Sequence, residues 1–326
     1  MTPKLSICIP TYNRAKTLGE TLDSILPQVL ERPDIEILIS DNASTDDTID
    51  CVHEYQLQCP MIRYSRNCDN LGLNGNIIAC IEQANGEYIS FVSDDDIVPD
   101  GMFIRLKNEI SAHNPSIMYL NHHPFLNNDP LKKMPPLLPS EDRLFNDGKA
   151  FFLFCGLGFI SALTIQTDIA REFLIFAKQS LFGQAHLEIA TRVALSQKGP
   201  FIFLGTISIA ARVPSELSDD YVTCHALNPD KFYLELGREG LLDKKSIDYH
   251  MKSSIRHLPK KILYNKCVGN YKSLKSQKNE ISSVYGPYMS YYFYILPLLT
   301  LPRWFLRPPY IILRSISRSL RHFKYA

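Results

Sequence analysis

The chain has 326 residues, 45% of them hydrophobic and 21% charged, which excludes a disordered or low-complexity protein and fits one large domain or a domain with an appendage. The formal net charge is +1, but the stretch from Tyr249 to Ala326 holds 14 Lys/Arg and a single acid, Glu280, and the residues before it sum to −12. An acidic body with a basic tail points the tail, not the body, toward an anionic surface, and no nucleic-acid partner is expected.

Strand and helix signals alternate through the first 120 residues. "LSICI" (5–9) is a short apolar run ending at Pro10. Leu18, Leu22, Ile25, Leu26 and Val29 then recur at helical spacing. "IEILIS" (35–40) predicts a second strand, and Ser44 with Asp47 has the spacing of a capping box for the next helix. "MIRYS" (61–65) predicts a third strand, "NGNIIACIEQA" a helix, and "YISFV" (88–92) a fourth strand. "GMFIRLKNEISAH" reads as a helix and "IMYLN" (117–121) as a strand. Repeated β-α-β units predict an α/β fold with a mostly parallel sheet flanked by helices. A Pro-rich stretch, about 124–147, interrupts the alternation and is expected to form a loop over the site. "FISALTIQ" (159–166) resumes strand character, "AHLEIATRVALSQKG" (185–199) predicts a helix, and "FIFLGTISIAAR" (201–212) a long strand or a pair. From about 227 onward the pattern is helical and increasingly basic.

The eight cysteines are scattered and none forms a C-x-x-C pair, so a zinc or redox motif is not expected and a reduced, cytoplasmic compartment fits. "MTPKLSICIP" lacks the charged-then-apolar order of a signal peptide.

Ligands of parallel α/β sheets sit beyond the carboxyl ends of the strands, and the polar clusters fall there. "PTYNR" follows strand one, "SDNAS" strand two, and "SDDD" strand four. Asp94, Asp95 and Asp96 have a bland reading, a solvated acidic turn with a helix N-cap. The sharper reading is a site for Mg²⁺ or Mn²⁺, which take oxygen ligands and bridge carboxylates to substrate phosphates. Asp41 and Asn42 suit hydrogen bonding to a base or ribose. "RNCDNLGLNGN" (66–76), which includes Asn70, is rich in Asn and Gly, as a backbone approaching a nucleotide would need.

Taken together, "SICIPTYNR", "ILISDNASTDDT", "NLGLNGN" and "YISFVSDDDIVPDG" resemble family 2 glycosyltransferases of the GT-A (Rossmann-like) fold, over about residues 4–120. Within the family the wording is similar to O-antigen abequosyltransferases and related transferases of bacterial surface polysaccharides. The resemblance implies an inverting transfer from a nucleotide-diphosphate-sugar donor. Pro10, Thr11, Tyr12, Arg14 and Asn70 would border the nucleotide, and Asp41 with Asn42 would contact its base or ribose. Aligned on "DDIV", the first Asp of the family's D-x-D element falls on Ser93 and its metal-binding Asp on Asp95. Asp94 therefore stays a second metal candidate, and Asp96 would orient the donor sugar or cap the following helix. The family's catalytic base usually lies in a Glu-Asp pair opening a helix that ends in Arg. Registered on Arg192, that pair falls on Ala185 and His186. His186 is thus the first candidate base, with a pKa close to neutrality, and Glu188 the second. His122 and His123 are read as surface or loop residues.

The expected organisation is a GT-A domain over 1–215 and a helical region over 216–326. Within the former, about 1–120 would form the nucleotide-sugar half and about 121–215 the acceptor half. A dehydrogenase is disfavoured, because no G-x-G-x-x-G follows strand one. A sugar nucleotidyltransferase would want a Gly-rich phosphate loop there, and a non-catalytic sugar-nucleotide binder is the alternative of a different class. "YMSYYFYILPLLTL" (288–301) is too short to span a bilayer. Beyond it Ile312, Leu313, Ile316, Leu320 and Phe323 fall on one helical face and Arg314, Arg318, Arg321 and Lys324 on the other. Such a tail either packs on the body or lies in an anionic membrane interface. The second reading suits a polyprenyl-linked glycan acceptor at the cytoplasmic face of a bacterial inner membrane, with peripheral attachment.

Overall fold

Continuous apolar runs, not alternating ones, make the central strands. β1 (Leu5–Thr11) and β2 (Ile35–Asp41) are buried at every position, the pattern of parallel strands covered by helices on both faces. They pair in parallel from Leu5–Ile35 to Thr11–Asp41, so their carboxyl ends finish side by side. β3 (Ile62–Arg66) adds to β2, and β4 (Tyr88–Phe91) to β1, both in parallel. The crossovers are α1 (Ala15–Val29), α2 (Thr48–Gln58) and α3 (Gly72–Gln83), and α4 (Met102–His113) follows β4. In α1 the buried face carries the predicted Leu18, Leu22, Ile25, Leu26 and Val29. Glu36 is buried in β2, yet Ser6 Oγ (2.5 Å), Asn85 N (2.6 Å) and Arg63 Nη1 (2.8 Å) all donate to it. Burial alone would raise its pKa, but these donors hold it below the usual carboxylate value,.

This computed structural model describes residues 2–125, 134–180, 183–213, 222, 226–267 and 271–311. Beyond α4 the sheet becomes mixed. β5 (Ile117–Phe125), β6 (Arg143–Phe145), β7 (Leu163–Gln166) and β8 (Phe201–Arg212) complete the order β3-β2-β1-β4-β7-β5-β8-β6. β7 inserts between β4 and β5, antiparallel to both. β5 and β8 pair in parallel, and β6 pairs antiparallel with β8. The long strand 201–212 is thus one strand, not a pair. A 3-10 turn, Ile160–Ala162, leads into β7. Four short helices complete this part: α5 (Gly148–Cys155), α6 (Thr167–Glu172), α7 (Leu174–Gln179) and α8 (Ala185–Leu195). Asp147 caps α5 by accepting from Lys149 N (2.9 Å) and Ala150 N (3.2 Å),.

Three expectations change. The capping box does not form: α2 begins at Thr48, and Ser44 Oγ accepts instead from Asn13 N, 2.9 Å away. Asp46 takes the capping work, accepting from Thr48 N at 3.1 Å. His122 and His123 are not surface or loop residues but lie within β5, His123 buried and His122 half-buried. Strand pairing with β8 across the sheet covers them, a contact that no local pattern announces. Finally, the expected loop 124–147 contains β6, and its described start folds back on β5 through Met134 N to Pro124 O (2.9 Å) and Leu137 N to His122 O (3.2 Å).

The chain divides into two compact units, Met1–Val213 and Pro214–Ala326. The second is helical: α9 (Asn228–Arg238), α10 (Lys244–Cys267), α11 (Tyr271–Ser276), α12 (Lys278–Tyr285), a π turn (Tyr291–Ile295) and α13 (Leu296–Thr300). Met251, Ile255, Leu258 and Ile262 of α10 share its core with Tyr285, Tyr291 and Ile295. Buried Asp230 ties three helices, accepting from Tyr285 Oη at 2.5 Å, pairing with His250 Nε2 at 2.7 Å, and accepting from Ser254 Oγ. Thus "YMSYYFYILPLLTL" sends Tyr291 and Ile295 inward while Met289, Tyr292, Phe293 and Tyr294 stay exposed. No described helix is long and apolar enough to cross a membrane. The predicted amphipathic face from Ile312 to Lys324 lies outside the described residues.

Candidate functional site

The carboxyl ends of β1, β2 and β4 bring the predicted clusters to one rim. Backbone geometry there is unusual: Asn13 (φ 52°) and Ala43 (φ 62°) are left-handed without being glycine. Asn13 is suited to this, and its Oδ1 accepts from Thr45 N at 2.7 Å,. Ala43 has no such side-chain compensation, and strain of this kind concentrates at functional turns.

The acid motif is held by arginines on two sides. Arg14 Nη1 donates to Asp94 Oδ1 at 3.0 Å and to Asp95 Oδ2 at 2.5 Å. Ser93 Oγ donates to the other Asp95 oxygen at 2.7 Å. Asp96 faces inward, accepting from Ser161 Oγ (2.5 Å) and from Arg212 N (2.9 Å). Arg212 also reaches Asp95 O through Nε at 2.8 Å and pairs with Glu20 at 2.5 Å. Burial, reinforced by Asp95 and opposed by Arg14, pushes the Asp94 pKa up to about 6. Burial and the charge of Asp95 push that of Asp96 up to about 7. The cost of three adjacent acids is therefore met by hydrogen bonds, by two guanidinium groups and by partial protonation of Asp96 near neutral pH,.

The oxygen set fits a hard divalent cation. Asp94 Oδ1 and Asp95 Oδ2 converge on one point, now taken by Arg14 Nη1. A pair of carboxylates leaves the remaining positions for water and substrate phosphates, which is how Mg²⁺ is commonly held. Among the described residues no cage of three or more His, Cys, Asp or Glu side chains forms. Asp95 and Arg14 also line a shallow pocket with Asn13, Ala15, Lys16, Thr17 and Asp46. It sits at the amino end of α1, where the helix dipole favours an anion and the Asp46 carboxylate already accepts from Ala15 N at 3.1 Å,.

The residues of β2 and the Asn-rich loop are engaged with one another. Asp41 accepts from Tyr64 Oη (2.6 Å), Ser44 N (2.8 Å) and Arg66 Nη1 (3.4 Å). Asn42 Nδ2 donates to Asn70 Oδ1 (2.8 Å) and Gly72 O (3.2 Å), and its Oδ1 accepts from Leu71 N (2.8 Å) and Asn67 Nδ2 (3.2 Å). Asn76 continues this lattice by donating to Ser40 O at 2.8 Å. Asn42 and Asn70 thus shape the rim. Tyr12 is exposed on it, and Thr11 is buried beneath it.

His186 opens α8 and is buried, with Nε2 3.1 Å from Gly158 O. A carbonyl only accepts, so Nε2 carries the proton and Nδ1 is a bare lone pair. That Nδ1 is buried with no hydrogen-bond partner. Burial drives the His186 pKa down to about 4, rather than leaving it near neutrality. Glu188 is also buried, its Oε1 accepting from Arg192 Nε at 2.9 Å while Oε2 has no partner. The turn that holds His186 continues into the acid motif: Phe159 stacks on His122 at 4.2 Å, and Ser161 Oγ accepts from Ser93 N (2.8 Å) and donates to Asp96. Ser161, Arg212, Glu20 and Tyr64 were missed by sequence reasoning, and nothing in the local pattern singles them out.

Residues 6–162 match the family model of Glycosyl transferase family 2. The abequosyltransferase RfbV of Salmonella typhimurium is 46% identical over 103 residues, 31% of either chain. The GalNAc(5)-diNAcBac-PP-undecaprenol beta-1,3-glucosyltransferase of Campylobacter jejuni is 38% identical over 115 residues, 34% of this chain and 37% of that one. The matched segment therefore spans about a third of the length of these curated relatives. Among solved structures, S. aureus TarS 1–349 in complex with UDP-GlcNAc superposes with a TM-score of 0.62 at 17% identity, covering 86% of this chain and 81% of that one. The mannosyltransferase PcManGT from Pyrobaculum calidifontis, in complex with GDP-Man and Mn²⁺, gives 0.58 at 16%, covering 91% and 84%. At such identities the likeness speaks for the fold.

Proposed function

We infer that this chain, whose residues 6–162 belong to glycosyl transferase family 2, moves a sugar with inversion from a nucleotide-sugar to a glycan acceptor in bacterial surface-polysaccharide synthesis. The observation that carries the reading is the convergence of Asp94 and Asp95 on one cationic point at the mouth of the α1 pocket. The donor diphosphate would lie there, against Arg14, Lys16 and the amino end of α1. Mg²⁺ or Mn²⁺ held by Asp95 and Asp94 would neutralise the charge that develops on the departing nucleotide. Ser93 on the Asp95 carboxylate and Arg212 on its carbonyl would keep that ligand aimed as the substrate arrives, and Asp41 with the Asn42–Asn70 lattice would frame the base and ribose. Asp96, held from within, fits orientation of the acid loop.

His186 would take the proton of the acceptor hydroxyl on Nδ1. A pKa near 4 makes it as basic as the aspartate the family usually places there, about 3.9, and it is already deprotonated at neutral pH. Glu188 is the second candidate base, its Oε1 paired with Arg192 and its Oε2 without a partner.

Turnover of labelled nucleotide-sugars tests the reading, after a thermal-shift screen of nucleoside diphosphates with and without Mn²⁺ has named the base. Asp95→Asn should lose at least about 100-fold in transfer, the scale of removing one electrostatic stabiliser, with the fold intact by circular dichroism. Full activity in that variant, or wild-type activity indifferent to EDTA, would remove the metal role. Nucleotide binding without turnover of any donor would favour a non-catalytic binder, which the replacement of the usual acids by Ser93 and His186 keeps open.

A polyprenyl-linked acceptor and peripheral attachment at the cytoplasmic face of an inner membrane complete the proposal. Exposed Tyr292, Phe293, Trp304 and Phe305, with Arg303 and Arg307 beside the last two, support it, since aromatic and basic side chains favour the bilayer interface. Removing the chain from Tyr285 onward would also remove the core residues Tyr285, Tyr291 and Ile295 and so disturb the second unit itself. Phe293→Ser with Trp304→Ser should instead reduce flotation with anionic liposomes at low salt. A wild-type protein that never floats would refute the attachment.

A further inference from the structure

Arg14 stands where a cation is required. Its Nη1 touches Asp94 Oδ1 at 3.0 Å and Asp95 Oδ2 at 2.5 Å, the same two oxygens that the reading above gives to the metal. A guanidinium and a divalent ion cannot share that point, because both need the same lone pairs and their charges repel. We propose that Arg14 is a resident counter-ion, holding the acid pair in the nucleotide-free protein and drawn off by the donor diphosphate, so that the metal enters with the nucleotide and not before it. This rests on the metal reading of Asp94 and Asp95.

The arginine is free to leave and the acids are not. Its side chain is 45% exposed, and among its described interactions the only side-chain partners are these two carboxylates. It lines the same pocket as Ala15, Lys16 and Thr17, so a diphosphate at the amino end of α1 offers it a new partner within one side-chain swing. Asp95 stays in place through Ser93 Oγ on its carboxylate and Arg212 Nε on its carbonyl. Arg212 contrasts with Arg14: its side chain is only 8% exposed and is bound to Glu20 as well. One arginine therefore anchors the motif from behind while the other closes its open side. Closure also suppresses an idle metal site, which three adjacent acids would otherwise create.

The test is Mn²⁺ binding to the full chain without nucleotide, at pH 8, by loss of the free Mn²⁺ paramagnetic resonance signal. Arg14→Gln should bind Mn²⁺ at least about tenfold more tightly than wild type, the sign expected from removing a positive charge beside the site. Arg14→Lys, which keeps the charge, should stay near wild type. Adding Asp95→Asn to Arg14→Gln should abolish the gain. Equal or weaker binding by both Arg14→Gln and Arg14→Met would overturn the role of Arg14. The metal reading would survive that result if Asp95→Asn still lowered Mn²⁺ binding in the presence of UDP or GDP. A gain that persists in the Asp95→Asn background would place the ion elsewhere and overturn both.

Discussion

At the scale of single residues, histidine in an aspartate's place changes how the site responds to pH. In the folded chain burial holds His186 near pKa 4, whereas an unfolded histidine titrates at about 6.5. The unfolded state therefore takes up a proton first as pH falls. Stability linked to this residue is complete above about pH 6.5 and is lost as pH falls toward 4. The full shift corresponds to roughly 3 kcal/mol. His186→Gln should accordingly gain stability relative to wild type between pH 7 and pH 4.5, measured by urea denaturation at both. A difference that does not change with pH would mean that His186 is not held neutral. In wild type His186 should therefore set no limb of the rate profile near pH 6.5, and an acidic limb near pH 6 would instead report Asp94. Residue types at the site were legible because each chemistry-bearing cluster is contiguous: Asp41, Asp94–Asp96 and Arg14 can be read off short words. Their partners were not. Ser161 lies 65 residues from Asp96 and Arg212 lies 116, and a serine or a strand-end arginine carries no local mark of such a contact.

At the scale of elements, periodicity predicted β1 to β4 and their helices well, because each β-α-β crossover is local. Boundaries moved where capping, rather than hydrophobic pattern, decides: α2 starts at Thr48 through Asp46, and α8 ends at Leu195 although the pattern continued to 199. The contact between α5 and α8 shows what pattern alone misses. A Cβ added at Gly148 would lie 1.8 Å from Ala194 O. Neither backbone can give way, since α5 is fixed by its Asp147 cap and Gly148 N donates to Gln197 at 3.1 Å. Gly148→Ala should therefore cost about 3 kcal/mol or more, read as a lowered urea midpoint with the unfolding slope unchanged. Because α8 also carries His186, the variant should lose transfer activity before it loses nucleotide binding. The same substitution at Gly72 meets no atom within 4 Å, and only its φ of +70° opposes it.

At the scale of the whole molecule, the order of strands in the mixed sheet was the least legible. Strand order depends on which distant segments meet, and β7 looks no different in sequence from a strand at the sheet's edge. Its place between β4 and β5 has a consequence for assembly. β4 leaves the ribosome before Leu163–Gln166 does, so the emerging chain holds a strand whose neighbour on one side has yet to arrive. Until then the edge of β4 stays open, a condition that invites chaperone capture or mispairing. The acid loop that follows β4 also lacks Ser161 and Arg212 during this interval. Ordering of the acid loop is thus expected to be the last event in the first unit, after β1 and β2 are already locked. Hydrogen exchange on ribosome-bound chains stalled before Leu163 has emerged should show amides of Ile7 and Ile37 protected and those of Ile89 and Ser93 open, and protection of all four would contradict it. A cell making this protein would then hold an inert intermediate, its carboxylates unaimed, until more than 200 residues had been synthesised.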